Sequence, residues 1–244
     1  MVTKQEIRES VWNYLTEHKL GRFPFPLKNR IPNFKGAEKA AHFVTTLPQY
    51  KEAKIIKVNP DAPQLPIRAQ ILKDGKTLLI PTPRLKAGFI MIKPEWVPPG
   101  EERKAASISH MKSYGKEIPL SEMPKIDLFF VGSVALHRDG RRIGKGEGYA
   151  DREYAIIREL GNPDIPVIGT VQSAQLTDAD IPKDKYDLTV DWIATEQELI
   201  RTNTLYNKPE GIQWELVTEE EWEAMPVLKE IWELTKAKDA KRPI

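Results

Sequence analysis

The run from Ile126 to Leu136, IDLFFVGSVAL, is the most apolar stretch of the chain. A short apolar run bounded by turn residues suits a strand buried on both faces, at the centre of a parallel sheet. Parallel strands need long crossovers, usually helical, and the flanking sequence supplies them. Thr3 to Glu17 reads as a helix, opened by a Thr3/Glu6 capping box and striped by Ile7, Val11, Tyr14 and Leu15. Prolines 24, 26 and 32 keep residues 22–33 extended or looped. Residues 37–47 and 66–73 read as helices, and 53–58, 77–80 and 88–92 as strands. The stretch Lys93–Ile118 is the least regular, and its Pro98-Pro99-Gly100 marks a surface loop or lid. A helix over about 150–160 and strands over 166–171 and 188–194 follow. The tail carries a second capping box, Thr218/Glu221, and a helix broken near Pro226. Strands alternating with helices predict an α/β fold with a mainly parallel central sheet. Residues 1–244 are expected to form a single domain, with about 210–244 a C-terminal helical extension.

Composition excludes several functions. With 40% apolar and 30% charged residues the chain is neither disordered nor membrane-embedded, and no run approaches 18 apolar residues. The first residues lack the apolar core of a signal peptide, so a cytoplasmic protein is expected. Cysteine is absent, which removes disulfides, zinc–thiolate sites and thiol nucleophiles. The four histidines have no metal-binding spacing, and no GxSxG supports serine catalysis. Lys+Arg at 37 against Asp+Glu at 35 leaves a net charge of +2, so there is no strong nucleic-acid signal.

The sharpest motif is Gly140–Arg152, GRRIGKGEGYADR. Glycines at 144, 146 and 148, between a buried strand and a helix, let backbone N–H groups approach an anion closely. The helix N-terminus behind them adds a partial positive charge. Arg142 and Lys145 add full ones, and Asp151 at the helix start is placed to take a magnesium ion bridging phosphates. The pattern is neither GxGxxG nor a P-loop, and a glycine-rich turn with solvated basic residues has the same composition. Lys4 and Arg8 share a helix face at the border of the apolar stripe. They are either two cations aimed into a cleft or an ordinary solvated pair. Asp187 precedes a strand and reads as a metal ligand or a turn residue.

Together these pieces resemble the 5-formyltetrahydrofolate cyclo-ligase family. Its hallmark loop, G-x-R-x-G-x-G-x-G-Y-Y-D after an apolar strand, stands here as Gly140, Arg142, Gly144, Gly146, Gly148, Tyr149, Ala150 and Asp151. Lys4 and Arg8 match a Lys-x-x-x-Arg near the family's N-terminus. Asp187, followed by DWIATE at 191–196, matches a later aspartate and its strand. The resemblance implies a three-layer α/β/α, Rossmann-like fold and an ATP- and Mg2+-dependent enzyme. It implies a cofactor-binding set of Lys4, Arg8, Arg142, Gly144, Lys145, Gly146, Gly148 and Tyr149. Asp151 and Asp187 would hold magnesium, Arg142 and Lys145 would be catalytic, and Lys145 and Tyr149 would lie near the folate. In the implied reaction the formyl oxygen of 5-formyltetrahydrofolate takes the γ-phosphoryl group. The neighbouring folate nitrogen then attacks, phosphate leaves and 5,10-methenyltetrahydrofolate remains. The sequence departs from the pattern at Glu147, Ala150 and Tyr186, and the family's folate-contacting glutamate has no clear counterpart in Asn59–Arg68. This looks like a divergent branch. Some relatives in it carry an added RNA-recognition module, which nothing after residue 200 resembles.

Three readings follow: a folate cyclo-ligase, an ATP-dependent enzyme for a different heterocycle, and a nucleotide-binding or RNA-associated protein without turnover. The expected partner is a reduced folate or a related heterocycle, with no membrane, and the chain is expected to be a monomer or homodimer. Arg142→Ala and Asp151→Asn are expected to weaken Mg-ATP binding while leaving the fold near wild type.

Overall fold

The computed structural model describes residues 1–235. Helix α1 (Lys4–Glu17) starts where expected: the Thr3 hydroxyl accepts from Glu6 N, and the Glu6 carboxylate accepts from Thr3 N. A short ribbon, β1 (Gly21–Arg22) with β2 (Asn33–Phe34), brackets the proline-rich segment. Then come α2 (Ala37–Thr45), α3 (Pro48–Glu52), β3 (Ile55–Lys57), α4 (Leu65–Lys73), β4 (Thr77–Pro81) and β5 (Phe89–Ile92). Helices α5 (Glu102–Ala106) and α6 (Met111–Tyr114) lead to β6 (Lys116–Ile118) and β7 (Leu128–Val131). A second ribbon, β8 (Ala135–Leu136) with β9 (Arg142–Ile143), precedes α7 (Tyr149–Glu159). The chain continues through β10 (Val167–Thr170), β11 (Trp192–Ala194), β12 (Leu199–Arg201), α8 (Glu219–Ala224) and α9 (Pro226–Thr235).

Eight strands form one sheet in the order β12-β11-β10-β7-β3-β4-β5-β6. The five central strands, β11 to β4, are parallel, and the edge pairings of β12, β5 and β6 are antiparallel. The pleat alternates side chains between faces. Leu128 and Phe130 pack with α2 and α4 through Ala40, Val44, Ile67 and Ile71. Phe129 and Val131 pack with α7 and the C-terminal helices through Tyr154, Ile157, Trp214, Leu228 and Ile231. The expected α/β fold with helices on both faces of a mainly parallel sheet is the one observed. Helix α1 buries Ile7, Val11, Trp12 and Leu15 against Leu27, Ile31 and the second ribbon in a separate cluster. Among the described residues no helix is long and apolar enough to cross a membrane.

Three expectations are corrected. The run Ile126–Leu136 is not one strand: it divides at Gly132-Ser133, and Ala135–Leu136 pairs with Arg142–Ile143 outside the main sheet. A Cβ at Gly132 would lie 2.7 Å from Asp61 Oδ2 and 2.9 Å from Ile31 Cγ2, so any larger residue would displace both side chains. Pro98-Pro99-Gly100 is the exposed loop expected, but the lid alternative fails, because the stretch Lys93–Ile118 around it is part of the core. That stretch buries Ala105, Ala106 and Met111 in the α2/α4 layer, and β6 ends the sheet. The strand expected over Leu188–Ala194 begins only at Trp192, because Leu188 N donates to Asp151 and Val190 N to Gly140 O instead of to a ladder. The expected C-terminal helical extension runs partly over 236–244, which lie outside the described residues.

The strand order reverses between β3 and β7, since the chain moves from β3 to β4 and returns to place β7 on the other side of β3. Ligands of open α/β sheets bind outside the carboxyl ends of the strands at such a switch point. Here those ends are Val58-Asn59 and Gly132-Ser133.

Ile231 on α9 is fully buried in the sheet-face cluster. Ile231→Ala is expected to lower the urea midpoint of one cooperative transition, by about 2–5 kcal/mol of stability. A separate early transition for the C-terminal helices, or no change, would contradict their place in the core.

Candidate active site

A cleft of about 460 Å3 opens at this switch point. Lys4, Arg8, Arg142, Gly144, Lys145, Gly146, Gly148, Tyr149, Asp151 and Asp187 all line it. The ten residues named from sequence come from three separate segments, and the fold brings every one to the same cavity.

The glycine loop forms one wall. Gly146 and Gly148 have φ of +108° and +71°, a region that disfavours side chains. Gly148 begins α7 with no side chain capping the helix, so the first-turn N–H groups remain available to an anion. Arg8 Nε donates to Gly144 O at 2.7 Å and braces the loop from α1. Burial, with Arg142 nearby, draws the Arg8 pKa below its usual value.

Arg142 is buried and much of its bonding is internal. Its Nη2 donates to Gly132 O at 2.8 Å, its Nε to Gly132 O and Ser133 Oγ, and its Nη1 lies 3.5 Å from Asp151 Oδ1. The expectation that Arg142→Ala leaves the fold near wild type is therefore corrected. That substitution strips the Gly132 carbonyl of its donor.

Each remaining cation of the wall also has a carboxylate partner. Lys4 Nζ lies 2.6 Å from Asp187 Oδ2 and 3.0 Å from Asp184 Oδ2, and Lys145 Nζ lies 3.2 Å from Glu147. Burial opposes the Lys4 charge, but the bonds to Asp187 and Asp184 outweigh it and raise its pKa. Asp151 accepts from Leu188 N at 2.7 Å. Burial raises its pKa against the pull of Arg142. Among the described residues, Asp151 Oδ2 and Asp187 Oδ1 accept no hydrogen bond. That donor set suits magnesium, which takes one or two carboxylates and completes its shell with phosphate oxygens and water.

Sequence reasoning missed the floor. Asn59, Asp61 and Glu153 line the cleft, and Asp61 supplies a carboxylate from the stretch where the glutamate had no counterpart. Its side chain accepts no hydrogen bond among the described residues, and burial raises its pKa. Arg68, buried on α4, fixes the backbone beneath it by donating to Asn59 O and Asp61 O, both at 2.8 Å, and to Ala106 O. Lys57 and Glu153 are buried as an ion pair at 3.3 Å. Both had left a trace: Lys57 interrupts the apolar Ile55–Val58, and Glu153 falls in the Ala150/Tyr154/Ile157 stripe of α7.

Known proteins resemble this chain in sequence and in fold. The chain is 43% identical over 240 residues to a bovine methenyltetrahydrofolate synthase domain-containing protein, covering 94% of this chain and 62% of that one. The mouse protein of that name is 43% identical over 245 residues, covering 96% and 64%, and the human one 40% over 240, covering 94% and 61%. The chain thus spans less than two thirds of these relatives. Among solved structures, 5,10-methenyltetrahydrofolate synthetase from Aquifex aeolicus superposes with a TM-score of 0.52 at 21% identity, over 82% of this chain and 93% of that one. That likeness is one of fold. The sequence profile of the 5-formyltetrahydrofolate cyclo-ligase family matches residues 1–196, a span that contains all ten cleft residues, and the chain belongs to that family.

Proposed function

We propose that this chain is an ATP- and Mg2+-dependent 5-formyltetrahydrofolate cyclo-ligase that yields 5,10-methenyltetrahydrofolate. The observation that carries the reading is the meeting of all ten expected residues in one cleft at the switch point. Phosphoryl transfer needs positioning and charge neutralisation more than an acid or a base. Lys4, Arg8, Arg142 and the N–H groups of Gly144–Gly148 hold the phosphates. Asp151 and Asp187 hold magnesium, which neutralises charge on the phosphates when bound. Lys145 and Tyr149 flank the formyl group, where Lys145 stabilises the charge on the oxygen being phosphorylated. Asp61 faces the folate as the carboxylate contact that the sequence pattern lacked.

Lys4 and Asp187 are paired in the resting cleft, so loading is an exchange of partners. Lys4 would pair with a phosphate oxygen, and Asp187 would help to hold the cation. Charge-assisted bonds of this kind are about twice as strong as neutral ones, and both groups end with a charged partner.

The direct test mixes purified protein, Mg-ATP and 5-formyltetrahydrofolate and follows methenyl-folate absorbance and ADP together. Both are expected in step, and only with every component present. No product, with Mg-ATP still raising the melting temperature, would retain the nucleotide site and reject the substrate. Asp187→Asn is expected to keep the melting temperature within about 3 °C and to weaken Mg-ATP binding at least tenfold by calorimetry, about 1.4 kcal/mol. Unchanged affinity would remove Asp187 from the site. Arg142→Ala is expected to lose about 1–3 kcal/mol of stability in urea, because it orphans the Gly132 carbonyl.

A further inference from the structure

A second cavity, of about 400 Å3, borders the cleft. Two chain segments form the rim between them. Ile31 and Asp61 line the cleft, and Asn33 and Ala62, just beyond them in the same segments, line the second cavity. The side chains of Ile31 and Asp61 both crowd Gly132, so the two segments meet there. Leu65 and Pro66, at the start of α4, give the second cavity an apolar lining, and Phe23 and Phe25 join them from the proline-rich loop.

Phe23 is 78% and Phe25 60% exposed. The fold does not use these rings, because Leu27 and Ile31 supply the loop's buried contacts with α1. Nor is the loop loose. Prolines 24, 26 and 32 restrict its backbone. Asn33 Nδ2 donates to Phe23 O at 2.8 Å, Arg30 Nε to Pro26 O at 3.1 Å and Trp12 Nε1 to Arg30 O at 3.0 Å. Exposed rings on a loop braced in this way mark a contact surface.

The edge of the cavity is cationic. Arg22 engages only Nη1, which donates to both oxygens of Glu38 at 2.9 and 2.8 Å. Its Nε/Nη2 edge, a fork that can take a carboxylate side-on, meets no partner among the described residues. Arg103 also lines the cavity, is exposed, and forms no hydrogen bond or ion pair among the described residues. Glu38 is one carboxylate between two guanidiniums. Burial opposes its charge, but a backbone hydrogen bond, Arg22 and Arg103 together hold its carboxyl below the usual value.

We propose that this second cavity binds the tail of the folate, a benzoyl ring packed on Phe23 and Phe25 with its glutamate carboxylates on Arg22 and Arg103. The inference rests on the folate reading and extends it beyond the cleft, because a reduced folate joins its heterocycle to an aromatic ring that ends in carboxylates. The heterocycle reacts in the cleft while the tail crosses the Ile31/Asp61 rim. A flat ring gains from stacked or edge contact with phenylalanine, and a guanidinium from a paired carboxylate. Phe23, Phe25, Arg22 and Arg103 touch no reacting atom; they set affinity and the choice of substrate.

The test uses the full chain, calorimetry and two probes: 5-formyltetrahydrofolate, and 5-formyl-6-methyltetrahydropterin, which keeps the reacting heterocycle and lacks the tail. The parent is expected to bind the full compound at least about tenfold more tightly than the truncated one. This comparison does not depend on any variant folding. Phe25→Ala/Arg103→Ala changes two exposed positions outside the cleft lining. It is expected to melt within about 3 °C of the parent and to bind Mg-ATP and the truncated probe as the parent does. Its affinity for the full compound is expected to fall about tenfold. If the parent binds both probes equally, or the folded variant keeps the parent's preference, the second cavity does not hold the tail and the proposal falls alone. If the parent binds neither probe, the folate reading falls and takes the proposal with it.

Discussion

Two buried arginines hold the cleft open by gripping backbone carbonyls on either side of the switch point. Arg142 binds Gly132 O at the end of β7 and reaches toward Asp151 on α7. Arg68 binds Asn59 O and Asp61 O beyond β3. Burial pulls the Arg68 pKa to about 10, so at neutral pH it stays charged. A guanidinium presents several donors in a fixed fork and can bond several carbonyls at once. The result is a rigid frame at the point where an open sheet has no strand to continue it. The glycine loop, the floor and α1 all lean on that frame.

The sequence made one half of this site legible. The capping box of α1, the glycine spacing and the apolar strand are local signals, and each is read within a dozen residues. The cationic wall was found because Arg142, Lys145 and Asp151 lie in one loop. The floor was not, because Lys57, Asn59, Asp61 and Glu153 meet only after the sheet forms. Asn59-Pro60-Asp61 follows the end of β3 as irregular chain; nothing local says that it overhangs a cavity. The division of Ile126–Leu136 was hidden for the same reason. Gly132 looks like a weak strand residue until Asp61 is seen against it. Lys93–Ile118 misled differently: its prolines break regular elements, but Ala105 and Ala106 still pack on α4.

The two halves of the cleft are also built by different parts of the chain. The phosphate wall comes from α1, the glycine loop and the segment around Asp187, and it uses backbone N–H groups as much as side chains. The floor comes from the end of β3 and the inner face of α7, and it uses side chains alone. A wall built on backbone N–H groups depends on its glycines, whereas a side-chain floor changes its chemistry with any residue.

The ion pairs of the resting wall have one more consequence. Lys4 with Asp187 and Lys145 with Glu147 cancel two of the four positive charges on that wall. An anion arriving alone must compete with carboxylates already in place, and a cation arriving alone must displace an ammonium. On the proposed function, a polyphosphate and a dication arriving together would free each other's ligands. Each would then tighten the other's hold, by the same factor in both directions. Such a site would be a two-key lock, turned by the complex of metal and nucleotide.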